Sequence, residues 1–173
     1  MEKDALINLT ATEEALAAYA ADVRELHREN LIKSDRLATE GLLNSVETQI
    51  ERDGQAYLVT MTLADYWKYV EWDTKPHWPP RDALLKWIRV KPIIPHPDDR
   101  GRIPKPEQLA FLIGRKISRA GTEGSHDLAD AVTNCNREHE GQIAEALARD
   151  LGDNIHAWIL QLMDFRNGTD NRQ

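Results

Sequence analysis

The chain has 173 residues, of which 41% are apolar and 29% charged, and its formal net charge at pH 7 is -7. These values suit one compact domain with an acidic surface, and they disfavour two large domains or nucleic-acid binding through phosphate neutralisation. The single cysteine, Cys135, excludes an internal disulfide. Because the sequence shows neither a signal-peptide pattern nor a run of about 18 apolar residues, we expect an intracellular product that does not enter a membrane.

The first predicted element is a helix over about 11–31. Thr10 and Glu13 have the spacing of a capping box, in which the two side chains satisfy backbone N–H groups at the helix start. Apolar residues then recur at helical spacing, with Leu26 or His27 as the alternatives for one inward position.

A β-hairpin is predicted next, over about 45–63. Polar and apolar residues alternate on both sides of Asp53-Gly54, a dipeptide that tolerates the positive φ of a tight turn. The preceding residues 36–43 fit either a short helix or an extended lead-in. A hairpin flanked by an N-terminal helix and later helices predicts an α+β fold with a small antiparallel sheet.

The segment 72–81, WDTKPHWPPR, is dense in proline and tryptophan, and we call it the elbow. Proline fixes φ and removes a backbone donor, so the elbow is predicted to be stiff and to position its neighbours. Pro80 is expected to begin a short helix ending near 89–91. A proline-rich loop over 92–106 follows, and a loop of this length usually contacts something or moves.

The next predicted helix begins at Pro106 and is closed by Gly121. Its inward residues are expected to be Leu109, Leu112, Ile113, Ile117 and Ala120. Its outward basic face consists of Arg115, Lys116 and Arg119. This face is either solvated, with no partner required, or binds phosphates or acidic partners.

The last predicted region is helical over 125–165, with Ser125 as its cap. Interruptions are expected at Gly141 and at 152–154, because glycine weakens a helix interior. Residues 166–173 are expected to be a disordered tail, which leaves 1–165 as a single domain.

The titratable residues do not form a recognised catalytic pattern. A small metal-dependent hydrolase that uses His77, His126, Asp127 and His139 is an open alternative, yet no two histidines have the i, i+3 or i+4 spacing of a metal face. Cys135 lies among apolar helical residues, which favours a buried thiol. The sequence therefore predicts no enzyme, no metal and no cofactor. A third alternative is a cytosolic interaction module that binds a partner helix through the last helical region.

Three blocks of sequence resemble the tail-completion and neck proteins of tailed bacteriophages, the group that contains the lambdoid tail-completion protein. The first block runs from YWKYVEWDTKPHWPP at 66–80 to ALLKWI at 83–88, and the second is LAFLIGRKI at 109–117. The third is the Gly121-Thr122-x-Gly124 turn. The family usually has Gly where this chain has Asp73, which directs attention to the backbone there.

The resemblance implies a structural virion protein, assembled in the host cytoplasm and located at the neck or upper tail. It implies a homo-oligomeric ring of six or twelve copies that contacts other neck, portal-side or tail proteins, with DNA passing only non-specifically and no membrane involved. The residues expected at interfaces are Trp72, Pro76, Trp78, Pro79, Pro80, Trp87, Ile94, Arg100 and Arg102.

Overall fold

The computed structural model describes residues 7–34, 41–53, 56–91, 93, 95–97 and 100–170, and for 167–170 it describes the main chain alone. The elements in chain order are α1 (Thr10–Lys33), α2 (Gly41–Asn44), β1 (Glu47–Asp53), β2 (Ala56–Thr62), α3 (Trp67–Glu71), α4 (Arg81–Val90), α5 (Pro106–Ala120) and α6 (Asp127–Asp170). The two strands form one antiparallel sheet, so the predicted α+β class is confirmed.

The chain packs as two compact units, each drawn from separate segments. Unit 1 comprises Met1–Val23, Thr48–Thr60 and Val132–Gln173, and unit 2 comprises Arg24–Glu47 and Met61–Ala131. The single domain over 1–165 stays a prediction.

Helix α1 confirms the predicted helix and extends it slightly at both ends. The residues buried along it include Ala20, Val23, His27 and Leu31, so His27 rather than Leu26 takes the inward position. The predicted capping box does not form. The Thr10 hydroxyl donates to the Asn8 side chain at 2.6 Å.

The hairpin is confirmed as β1 and β2, although Gly54 of the expected turn lies outside the described residues. Half-buried and exposed residues alternate along both strands, as expected when one face of a sheet packs against the fold. In unit 1, the Tyr57 hydroxyl donates to the Glu13 carboxylate at 2.8 Å, and the Arg52 guanidinium donates to the Ile7 carbonyl at 2.8 Å.

Unit 2 has an apolar core centred on Leu31, Leu42 and Leu43. Half-buried residues packed against it are Leu63, Ala64, Trp67 and Val70. Leu42 and Leu43 lie in α2, which places a short helix at the end of the segment that the sequence left open, while 35–40 lies outside the described residues.

Helices α4 and α5 pack against each other in unit 2. Pro80 immediately precedes α4, and Pro106 is the first residue of α5, so both proline signals mark helix starts. Gly121 ends α5 with a φ of 75°, as predicted. The parts of the loop that the structure describes before Pro106, within 93–105, contain no helix or strand.

Helix α6 has 44 residues without a break, so the interruptions predicted at Gly141 and at 152–154 are wrong. An interior glycine destabilises a helix by about 1 kcal/mol relative to alanine. The long helical segments on both sides offset this loss. The helix continues to Asp170, and 171–173 lies outside the described residues, so the disordered tail over 166–173 stays a prediction.

Candidate interaction surface

Glu71, the residue immediately before the elbow, caps the start of α6. Its carboxylate is buried and accepts the Leu128 N–H at 2.9 Å and the Ala129 N–H at 2.8 Å. The first N–H groups of a helix have no partner within the helix, and a negative charge there also interacts favourably with the helix dipole. The predicted cap, Ser125, is therefore wrong, and its hydroxyl donates to the Val70 carbonyl at 3.1 Å instead.

Two residues of the elbow, Asp73 and Thr74, form hydrogen bonds with the turn that follows α5. The Thr74 N–H donates to the Thr122 carbonyl at 2.9 Å, and the Thr122 N–H donates back to the Thr74 hydroxyl oxygen at 3.0 Å. The two hydroxyl groups are 2.7 Å apart. The Asp73 carboxylate accepts the Gly124 N–H at 2.7 Å. Asp73 therefore anchors the elbow through its side chain.

The glycines of this turn are required by the close approach of the elbow backbone. A Cβ added at Gly121 would collide with the Thr74 carbonyl oxygen, and one added at Gly124 would collide with the Glu71 carbonyl oxygen. The φ of 75° at Gly121 adds a second reason for glycine there. The Gly-Thr-x-Gly pattern is thus explained by contact with Glu71 and the elbow.

The unusual backbone conformation lies at His126, where φ is 55°, and not at Asp73. The His126 N–H donates to the Glu71 carbonyl at 3.1 Å, and the imidazole packs edge-on against Trp72 with ring centroids 5.7 Å apart. A non-glycine residue with positive φ is uncommon, so these contacts fix a conformation that the backbone does not favour by itself.

Trp78 lies in the elbow and exposes a large aromatic surface to solvent. Its ring lies next to Gly114 of α5, where an added Cβ would be 3.6 Å from the indole, and the adjoining Pro79 is buried. Its other neighbour is Phe111, at 5.9 Å between ring centroids with the planes tilted by 57°. Both aromatic side chains are 56% exposed.

Two open clefts adjoin this aromatic pair. The first, of about 300 Å³, is lined by Trp78, Pro79, Arg81, Leu84, Glu107, Ala110 and Phe111. The second, of about 780 Å³, shares Glu107 and Phe111 with the first and also contains Arg102, Ile103 and Leu112. We call the exposed residues Trp78, Ile103, Phe111 and Leu112, with the two clefts, the elbow surface.

The structure brings together only part of the predicted interface set. Trp78 and Pro79 line the first cleft and Arg102 lines the second. Pro76, Pro80 and Arg100 are exposed, Trp72 packs against His126, Trp87 is half-buried in α4, and Ile94 lies outside the described residues. The predicted basic residues Arg115, Lys116 and Arg119 are exposed on α5, which leaves both interpretations of that face open.

Sequence reasoning missed the apolar half of the elbow surface. Leu112 and Ala120 were expected to face inward, but both are exposed, and Phe111 and Ile103 were not assigned to a site. The available signal was the run Phe111-Leu112-Ile113, because three consecutive large apolar residues on a helix do not all face one core.

The cysteine and histidine candidates differ in burial and in their contacts. Burial, followed by the negative charges of Asp22 and Glu138, raises the pKa of the Cys135 thiol above its usual value, which disfavours the nucleophilic thiolate. His139 Nε2 lies 2.8 Å from the Asp22 carboxylate, and the buried Nδ1 has no partner among the described residues. His77 Nδ1 lies 2.8 Å from the Lys75 carbonyl oxygen.

Within the ranges that the structure describes, no three His, Cys, Asp or Glu side chains are grouped to hold a metal ion. The four residues of the hydrolase alternative thus do not form such a group. His126 adjoins Asp73 at 3.8 Å, and the Asp127 carboxylate accepts the Ser34 hydroxyl at 2.9 Å.

A comparison of this chain with models of protein families, with curated proteins and with solved structures finds no match. None of the described helices has the length and apolar composition required to cross a membrane.

Proposed function

We propose that the chain is a structural assembly subunit: a ring-forming neck or tail-completion protein that joins the head and tail of a tailed phage and surrounds the DNA path. The observation that carries the proposal is the exposed Trp78–Phe111 pair on an elbow that hydrogen bonds from Asp73 and Thr74 hold to the turn after α5. The resemblance of the elbow and of α5 to tail-completion proteins supplies the biological setting.

The elbow surface has the composition of a protein-binding site. Interfaces are enriched in Trp, Phe, Met and Arg, and a few buried aromatic anchors carry most of the binding energy. Trp78 and Phe111 supply such anchors, while Arg81 and Glu107 on the cleft edge supply a polar rim. Covering two half-exposed aromatic residues removes roughly 170–280 Å² from water, which contributes roughly 4–7 kcal/mol at about 25 cal/mol per Å² before the costs of association are subtracted.

Rigidity of the elbow favours such a role. The Asp73 side chain and the Thr74 main chain hold the elbow by hydrogen bonds to the turn after α5. The prolines restrict the backbone of the rest of the elbow. A surface that is already fixed loses little conformational entropy on binding, which suits a subunit that must join a defined assembly.

The acidic character of the chain fits the proposed DNA path. With a net charge of -7, the subunit repels the phosphate backbone and permits only non-specific passage of DNA through a ring. A cytosolic interaction module would use the same binding chemistry, so particle composition decides between these two functions.

The decisive experiment is immunogold electron microscopy and mass spectrometry of particles purified from a lysate of the organism that encodes the chain. The expected result is label confined to the head–tail junction. Absence of the protein from purified particles overturns the proposal.

Matched variants test the role of the elbow surface in the same particles. Trp78→Ala and Phe111→Ala are expected to reduce incorporation at least about tenfold, as expected for loss of about 1.4 kcal/mol or more. Tyr69→Ala is the control, because Tyr69 is an exposed aromatic residue of unit 2 outside the elbow surface. Equal incorporation of all three variants would show that the elbow surface is not the assembly contact.

A further inference from the structure

The last part of α6, in unit 1, carries large apolar side chains that are exposed in the described structure. We call them the apolar stripe: Leu147, Leu151, Ile155, Trp158, Ile159 and Leu162. Their exposed fractions run from 39% to 70%. Soluble proteins seldom leave so continuous an apolar surface uncovered, so the stripe indicates an interface.

The spacing of the stripe identifies a helix as its partner. Leu151, Ile155, Trp158 and Leu162 follow one another at intervals of four, three and four residues, and Phe165 continues the pattern. This 3.5-residue period places them at the a and d positions of heptads, which form the seam between two helices of a coiled coil.

The charges around the stripe identify the partner as a second copy. Positions beside a coiled-coil seam normally carry charges that select a partner. Here the uncharged residues Leu147, Gly152, Asn154, Ile159 and Gln161 occupy them, and Arg166 follows at the end of the seam. The nearby carboxylates of Asp153 and Asp164 occupy outer positions. Two copies of a chain with a net charge of -7 can therefore align these helices without apposing carboxylates.

The exposed area fits a reversible dimer. With about 150–250 Å² for a fully exposed large side chain, the stripe offers on the order of 600 Å² per copy. Two copies then bury on the order of 1,200 Å², which is at the lower end of specific interfaces. Pairing should therefore depend on concentration.

We infer that the apolar stripe of α6 is a homotypic seam, through which two copies of this chain pair helix against helix. The contact is isologous, because the same residues serve both copies. The inference does not rest on the proposed function, since it concerns α6 of unit 1 and a surface other than the elbow surface.

Analytical ultracentrifugation of the full chain, from about 1 to about 100 µM, tests the seam over the range expected for a reversible dimer. The expected mass rises toward twice the 19.7 kDa of one chain. Ile155→Asp should remain monomeric throughout, because it places a charge in the seam. Leu160→Asp is the control, since Leu160 is 49% exposed, against 52% for Ile155, but lies off the stripe.

Leu162→Ala provides a second variant if the aspartate substitution prevents folding, and it should weaken the dimer by about tenfold or more. Circular dichroism checks that helix content is retained. A monomeric wild type overturns the inference. So does equal dimerisation of Ile155→Asp and Leu160→Asp, or equal loss in both. Because Trp78→Ala should dimerise normally, failure of the seam is distinguishable from failure of the elbow surface.

Discussion

Asp150 and Thr12 are joined by two hydrogen bonds to one carboxylate oxygen: the Thr12 N–H and hydroxyl each donate to Oδ2 at 2.7 Å. The second carboxylate oxygen accepts the Ala11 N–H at 3.1 Å. Asp150 and Thr12 are 138 residues apart, so the start of α1 is capped by a side chain of α6 within unit 1.

Replacing Asp150 with Asn should remove a part of the pH dependence of the free energy of unfolding. Burial alone raises the pKa of Asp150, but the hydrogen bonds from Thr12 and Ala11 and the charge of Arg149 outweigh it, so the pKa lies below 3.8. The stabilisation is therefore complete above pH 3.8 and is lost as the pH falls through the folded-state pKa. Urea unfolding of wild type and Asp150→Asn between about pH 2 and 5 measures the difference.

Asp153→Asn is the control for this titration, because Asp153 is an exposed carboxylate on the same helix. At neutral pH, Asp150→Ala should cost about 1–3 kcal/mol, since three donors lose a charged acceptor. Identical acid unfolding of the Asp150 and Asp153 variants would contradict the proposed cap.

Glu71 supplies the matching prediction for unit 2. Glu71→Ala should lower the free energy of unfolding by about 2–3 kcal/mol, because the half-buried N–H groups of Leu128 and Ala129 lose a charged acceptor that is itself buried. Glu71→Gln should cost less, since its carbonyl oxygen retains one of the two hydrogen bonds. Asp65→Asn, which alters an exposed carboxylate of the same unit, should be within about 0.5 kcal/mol of wild type.

Signals that act over a few residues predicted much of the fold correctly. Pro80 and Pro106 mark the starts of α4 and α5. Proline suits a helix start because the N–H that it lacks would have no partner within the helix there, and its fixed φ is close to the helical value. Gly121 marks the end of α5 through its positive φ. Alternating polarity around Asp53 gave the hairpin, since a two-residue period follows directly from strand geometry.

The helix caps could not be predicted in this way. Thr10 and Ser125 are local candidates with suitable side chains, but the carboxylates of Asp150 and Glu71 are stronger acceptors and reach the helix starts from distant segments. The sequence predicted only part of the elbow surface for the same reason. Trp78 stood out by composition, whereas its neighbour Phe111 is brought to it only by folding.

The glycines provide a prediction with opposite signs at two positions. Gly141→Ala should raise the free energy of unfolding by about 0.5–1 kcal/mol, because Gly141 lies inside α6 with nothing within 4 Å of an added Cβ. Gly121→Ala should lower it by about 2 kcal/mol or more, because the Cβ meets the Thr74 carbonyl oxygen and φ is 75°. Thermal and urea unfolding of both variants test this, and a stabilising Gly121→Ala would contradict the close approach of the elbow.

His27 should make unit 2 less stable in mild acid. The ring is buried, and neither nitrogen has a partner with hydrogen-bond geometry among the described residues. Burial lowers the pKa of His27 below 6.5, and the opposing influence of Glu71, of the Asp127 charge and of the Asp127 main chain does not outweigh it. Below pH 6.5 the unfolded chain therefore takes up the proton first, and stability falls until the folded-state pKa is reached.

His27→Leu should abolish that part of the pH dependence and should unfold with equal or higher stability at low pH, because it removes two buried polar atoms without partners. Urea unfolding at about pH 7.5, 6.5 and 5.5 gives the slopes. His77→Leu is the control, since it replaces an exposed histidine of the same unit. If wild type and His27→Leu lose stability in parallel below pH 6.5, then His27 takes up its proton equally in both states, and the buried imidazole is not the group that limits stability in acid.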